Sequence, residues 1–261
     1  MPEAAPAARY VFQGREVTLP VVVRDASSSA GTYLVDATAA RRLLPGPELD
    51  VVEVFPGQAL FSIACIDYVD NDLGDYNEVC LALFVRERDD RPLVPYLGSV
   101  VDFFTNNLAT YILHLPVDQS FTRDAGEGIW GFPKTVQEID MNDAEGRRAC
   151  RLVMDGKHVL TVTSFRGGRW SLPDVPMKTY SYIGGRLHET TFVSGATEVG
   201  FGLGGTDLVL GEHPIADDLR RLGLPRRALM TVWMGHQHGR FEAPVLSAPS
   251  RSAPRASRGP A

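Results

Sequence analysis

The sequence predicts an α+β domain in which antiparallel strands outweigh helices. Glycine (25) and proline (18) are plentiful and separate short apolar runs rich in Val, Leu, Ile and Phe, the pattern of strands joined by turns. Helical signals are short and few, and 44% hydrophobic residues over 261 positions is ample for a continuous core.

The elements follow in order. Residues 1–13 are Ala/Pro-rich at the start and read as an N-terminal arm, with the main domain over 14–246 and a Ser/Pro/Arg/Ala tail over 247–261 too polar to offset its ordering entropy and so expected to be disordered. Val17 to Arg24 reads as a strand, Asp25 to Gly31 with its three serines as a hairpin loop, and Thr32 to Val35 as extended chain again. Asp36 is placed to cap a helix over Ala37 to Leu44, which Pro45, Gly46 and Pro47 stop. Leu49 to Phe55, Leu60 to Tyr68 and Glu78 to Arg88 are strand candidates, and the acidic stretch Asp70 to Asp75 joins the last two as a meander. Thr110 to Leu115 is a further strand, followed by a short helix over Gln119 to Glu127. Arg147 to Met154, His158 to Phe165, Arg186 to Val193, Thr206 to Leu210 and Ala228 to Phe241 alternate as strands, with a helix over Ile215 to Leu222.

A net charge of -6 argues against a nucleic-acid partner, which needs clustered cations to displace counterions. Met1 to Ala8 lacks a basic start with an apolar run, and no stretch reaches the about 20 apolar residues of a membrane helix, so a cytoplasmic address with no membrane partner is the expectation. Cys65, Cys80 and Cys150 are widely spaced in apolar runs and read as buried small hydrophobes.

Lysine occurs only at Lys134, Lys157 and Lys178, so amine chemistry has three candidates. Ile129-Trp130-Gly131-Phe132-Pro133-Lys134 sets one of them directly after an aromatic run. Burial there disfavours an ammonium and would leave a free amine able to attack a ketone. On spacing alone the same lysine could end a strand and snorkel to solvent.

Three stretches resemble the acetoacetate decarboxylase family: Tyr111 to Val117 with Gly126 to Lys134, Phe61-Ser62-Ile63 through Tyr76-Asn77-Glu78, and Thr206 to Gly211 with Pro214 to Phe241. The resemblance implies a barrel-like or cone-like sheet with peripheral helices, self-association into a homo-oligomer, and no cofactor or metal. It also implies a Schiff base on Lys134 with a small β-keto acid, with Glu78 handling protons beside it. Trp130, Phe132 and Tyr76 are assigned to the walls of an apolar pocket. The sequence departs from the family at Thr135, where a second lysine is usual, at Ser62, where a glutamate is usual, and at Leu34, where an arginine is usual; Arg24 is the candidate to replace that arginine in space. The alternatives are a Schiff-base aldolase-dehydratase acting on pyruvate-like keto acids and a non-catalytic small-ligand-binding barrel.

Rival motifs are weaker. Gly200 to Gly205 satisfies the dinucleotide glycine spacing but precedes a strand where that motif needs a helix. His236, His238 and Glu242 have a metal-site spacing on a strand, yet no further histidine follows them. No Gly-x-Ser-x-Gly elbow surrounds Ser194.

Overall fold

Strand formation dominates this chain, and a computed structural model describes it over residues 8–90, 92 and 94–247. The elements are β1 (Arg9–Phe12), β2 (Arg15–Thr18), β3 (Val21–Asp36), α1 (Ala37–Arg41), β4 (Leu49–Val51), β5 (Glu53–Phe55), β6 (Gln58–Asn71), β7 (Tyr76–Glu87), α2 (Leu97–Phe104), β8 (Ala109–Val117) and α3 (Ser120–Trp130). They continue as β9 (Lys134–Val136), β10 (Glu138–Ala144), β11 (Arg147–Met154), β12 (Lys157–Phe165), β13 (Trp170–Ile183), β14 (Arg186–Leu203), β15 (Thr206–Leu210), α4 (Pro214–Arg221), β16 (Met230–Phe241) and β17 (Val245–Leu246).

Neighbouring strands run β7-β6-β3-β16-β14-β13-β8, and pairing of β8 back onto β7 closes them into a barrel of seven strands. All of these pairs are antiparallel except β13 with β8, which is parallel, so the barrel is mixed. A second sheet, β10-β11-β12-β15, lies outside it.

The pleat sends alternate residues to opposite faces. Tyr33, Phe61, Ile63, Cys65, Val79 and Leu81 point outward, where the second sheet and α4 cover them, and each is 0% exposed. The other face looks into the barrel. Its cross-strand rows run Glu78-Ile66-Ser28-Met234, then Cys80-Ala64-Ala30-Val232-Phe201, then Ala82-Ser62-Thr32-Met230-Leu203. Ala30, Ala64, Ile66, Val232 and Met234 are only half-buried although neighbouring strands flank them on both sides. Residues in such positions can meet solvent only across the sheet face, so the lumen encloses open space there.

Two helices occupy the ends. α3 packs Phe121, Ala125 and Ile129 into a cluster with Tyr68, Tyr76, Val21 and Val23. At the far end of the same face Val100 and Phe103 of α2 pack with Leu34, Leu60 and Phe84, the two phenylalanine rings edge to face at 5.5 Å.

Most elements fall where the sequence places them, including the Asp36 cap, whose carboxylate accepts from Ala39 N at 2.6 Å. The hairpin expected over Asp25 to Gly31 is corrected: β3 is one continuous strand of 16 residues through the serine run. Its serines have partners far along the chain. Ser28 Oγ donates to Gln237 Oε1 at 2.9 Å, and Ser27 Oγ accepts from Arg148 at 2.7 Å. Loop-like composition carries no information about such partners. Within the expected N-terminal arm, Arg9–Phe12 forms a hairpin with Arg15–Thr18, and the Phe12 ring lies against Gly128 of α3. Ser247 donates its backbone N–H to Leu187 O; the rest of the expected tail, residues 248–261, lies outside the described residues.

Candidate active site

The lysine loop is built by the end of α3. Gly131 terminates the helix at φ 64, a left-handed backbone that favours glycine, and a Cβ there would lie 2.8 Å from Ile183 Cγ1 and 2.9 Å from Tyr182 O. Gly131 N donates to Glu127 O and Phe132 N to Gly126 O, so the chain reverses over its own last turn. β9 then aligns parallel to β8 with Lys134 beside Leu115.

From that backbone the Lys134 side chain lies along α3 at Gly126, where an added Cβ would be 2.5 Å from its Cδ, and Nζ reaches Glu78 Oε2 at 2.7 Å. The side chains are 5% and 8% exposed. The ammonium nitrogen also sits 4.9 Å above the Tyr76 ring. Two groups that are costly to bury singly are thereby buried as a pair in hydrogen-bond contact. Tyr68 and Tyr76 stack at 4.5 Å beside them. Burial pushes both phenols well above their ordinary range, and the charge of Glu78 adds to the effect, so both stay protonated. Burial likewise pushes the neighbouring Cys80 thiol up, keeping it neutral.

The sequence-predicted residues separate into three groups. Lys134, Glu78 and Tyr76 come together. Trp130 and Phe132 stack on each other at 5.9 Å in the same apolar cluster as Tyr76, with Trp130 turned to Phe241 and donating Nε1–H to Glu242 O; Gly126 lies against the lysine stem and the Tyr76 ring under its Nζ. Arg24 is apart: it lies on the exposed side of β3, where Asp70 and Asp72 hold its guanidinium at 2.8 and 2.7 Å. It therefore does not stand in for the arginine replaced by Leu34. Alternation from Ser28 and Ala26 alone would point Arg24 to the lumen, but the strand is irregular on both sides of Asp25, which turns Val23 inward and Arg24 outward.

Sequence reasoning missed a buried amide on the same lumen face. Gln237 accepts from Ser28 Oγ at 2.9 Å and donates to Ser194 Oγ at 3.0 Å. Its signal was the flanking pair His236 and His238, which face out onto Asp25 and Asp174 at 3.1 and 3.0 Å and leave the residue between them facing in. No group of three metal-ligating side chains occurs among the described residues. A separate cleft of about 180 Å³ opens where β13 parts from β8, lined by Tyr111, Tyr180, Ser181, Tyr182, Gly131 and Pro133; it backs the lysine loop without reaching the Lys134–Glu78 pair.

No helix among the described residues is long and apolar enough to cross a membrane. No curated protein matches the chain. Among solved structures it is similar to acetoacetate decarboxylase from Legionella pneumophila, with 16% identity, TM-score 0.65, and 95% of this chain and 94% of that chain covered. It is also similar to the enduracididine biosynthesis enzyme MppR complexed with pyruvate, at 18% identity, TM-score 0.58, and coverage of 88% and 91%. An acetoacetate decarboxylase-like enzyme from Sphingomonas wittichii gives 12% identity, TM-score 0.59, and coverage of 92% and 98%. These identities establish a shared fold, the mainly β barrel with outer strands and helices. The model of the acetoacetate decarboxylase family matches residues 13–238, nearly the whole described barrel together with the lysine and its carboxylate, and the chain therefore belongs to the acetoacetate decarboxylase family.

Proposed function

We propose that this chain is a lyase that decarboxylates a β-keto acid through an imine on Lys134. The observation that carries the reading is the buried contact of 2.7 Å between Lys134 Nζ and Glu78 Oε2 at the edge of an open lumen. The amine lone pair attacks the ketone carbon, and the resulting carbinolamine loses water with a proton supplied from Glu78. The iminium is then the electron sink. The bond to the carboxylate carbon breaks, its electron pair forms the enamine, and carbon dioxide leaves. Glu78, left as a carboxylate by the dehydration, takes a proton from solvent and passes it to the enamine carbon; water then adds to the resulting iminium, releasing the ketone and the free amine as Glu78 regains a proton.

One feature favours decarboxylation over an aldol condensation of a pyruvate-like acid. A substrate that keeps its carboxylate needs a cation to offset burying it. The three rows of the lumen face around Glu78 carry no basic side chain, so a carboxylate that departs as neutral carbon dioxide suits this surface better than one that stays. MppR, complexed with pyruvate, supports small keto acids as ligands of the fold and keeps the condensation reading as the second outcome to measure.

The test is borohydride reduction in the presence of acetoacetate, with the adduct mapped by mass spectrometry. The expected mass is on Lys134, lost in Lys134→Arg, with Glu78→Gln slowing adduct formation by about 10²- to 10⁴-fold. Absence of an adduct with acetoacetate and with pyruvate alike would overturn the proposal in favour of a binding barrel, and carbon dioxide release against aldol product divides the two lyase readings.

A further inference from the structure

We infer that the keto acid carries an apolar chain, which lies along the lumen from Lys134 to a rim formed by Phe201 and Leu203; this rests on the Schiff-base reading above. Going away from Glu78 along the strands, the middle row of the lumen face, Cys80, Ala64, Ala30 and Val232, is apolar and half-buried, and on β14 the rows end in the exposed Phe201 and Leu203. Ala30 and Ala64 sit side by side in the middle of the wall and leave room that larger residues would fill. Val232 and Met234 continue the surface on the next strand, half-buried like the alanines. Beyond them Phe201 and Leu203 are 52% and 89% exposed, although a large apolar side chain at a strand end is ordinarily covered. Both point to the lumen side, because the alternate positions Gly200 and Gly202 pack outward on Phe165 of the second sheet.

Concavity decides the occupant. The half-buried alanines lie inside a closed ring of strands, where a flat protein surface cannot reach them and a slender chain can. Charge agrees, since Glu78 is the single carboxylate in the three rows and the amine beside it is that of Lys134, which takes the ketone. From the row of Glu78 to that of Leu203 is four residues along the strand, about 14 Å at the rise of an antiparallel strand. Methionine side chains on that path adapt their shape to a flexible ligand.

The experiment is a ladder of straight-chain 3-oxo acids, starting at acetoacetate and lengthening by methylenes, offered to the full chain. Carbon dioxide release gives kcat/KM, and borohydride gives the yield of adduct on Lys134. The expected result is a rise of about fourfold in kcat/KM per added methylene until the chain spans the lumen. Ala64→Phe, which fills the wall, should lower the preference for long over short acids on the order of tenfold, the worth of about two methylenes. Should that variant not fold, Leu203→Asp at the exposed rim reads the same ratio without touching the core. A ladder that is flat or falls with length, while acetoacetate still gives the adduct, overturns the chain inference alone. No adduct with any member overturns the Schiff-base reading and the inference with it.

Discussion

Gly126→Ala tests whether the packing of Lys134 on α3 is what aims its amine. The new Cβ would sit 2.5 Å from Lys134 Cδ, 2.8 Å from Cε and 3.2 Å from Cγ. Ordinary carbon contacts begin near about 3.5 Å, so the stem must move by about 1 Å. A free lysine would swing aside, but this one is held at its tip by Glu78 at 2.7 Å and is almost wholly buried. Overpacking of this kind costs about 1–3 kcal/mol, against which alanine gains about 1 kcal/mol over glycine inside a helix, so the net loss of stability should be small, at most about 2 kcal/mol. The chemical effect should be larger, because a misplacement of about 1 Å is worth about 10²-fold in rate. The assay pairs urea unfolding with the rate of borohydride-trapped adduct on Lys134. Gly128→Ala is the control: it lies on the same helix, but its Cβ would meet the Phe12 ring at 2.5 Å, so it should cost stability and leave the adduct rate near wild type. A Gly126→Ala protein with a wild-type adduct rate would refute the reasoning.

Two further outcomes are expected. Arg24→Ala should leave adduct formation within about twofold of wild type, since its ion pairs with Asp70 and Asp72 lie on the surface; a large loss in the same trapping assay would return Arg24 to the pocket. The Arg148 guanidinium hydrogen-bonds Asp143 and holds its carboxyl below the ordinary range, so that carboxylate contributes stability above about pH 3.9 that is lost as acid protonates it. Burial moves Asp67 the opposite way, so Asp143→Asn should flatten the acid limb of a stability-against-pH curve from urea unfolding and Asp67→Asn should steepen it; an unchanged limb in both would refute the assignment.

The fold was legible wherever one face of an element is buried. β6, β7, β11 and β12 alternate against a core, and their residues say so. β13 escaped notice because its pattern is mostly exposed and carries Pro173 and Pro176; its strand character comes from pairing with β14, which no local pattern encodes. α2 was missed for a related reason, since it presents Leu97, Val101 and Phe104 to solvent and buries Ser99, the reverse of the pattern that marks a core-facing helix. At the site, Lys134 and Glu78 could be named from the sequence through the family resemblance, but their contact joins residues 56 apart and depends on the barrel. Gln237 and the misplacement of Arg24 share one cause: which face a residue takes depends on strand continuity and bulges, and β16 is bulged on both sides of Gln237.

The wall beside the lysine is sewn from two pieces of thread. β13 accompanies β8 only through Tyr111, β9 takes over at Leu115, and Ile112–His114 have no strand partner on that side among the described residues. A ring fastened along its other strand pairs is open at that gap, and the gap lies next to the segment that ends at Lys134. A larger side chain at the slit would therefore press first on the Gly131-Phe132-Pro133 turn that lines it, and through that turn on the position of Lys134, while the β6–β7 pairing that holds Glu78 stays in register.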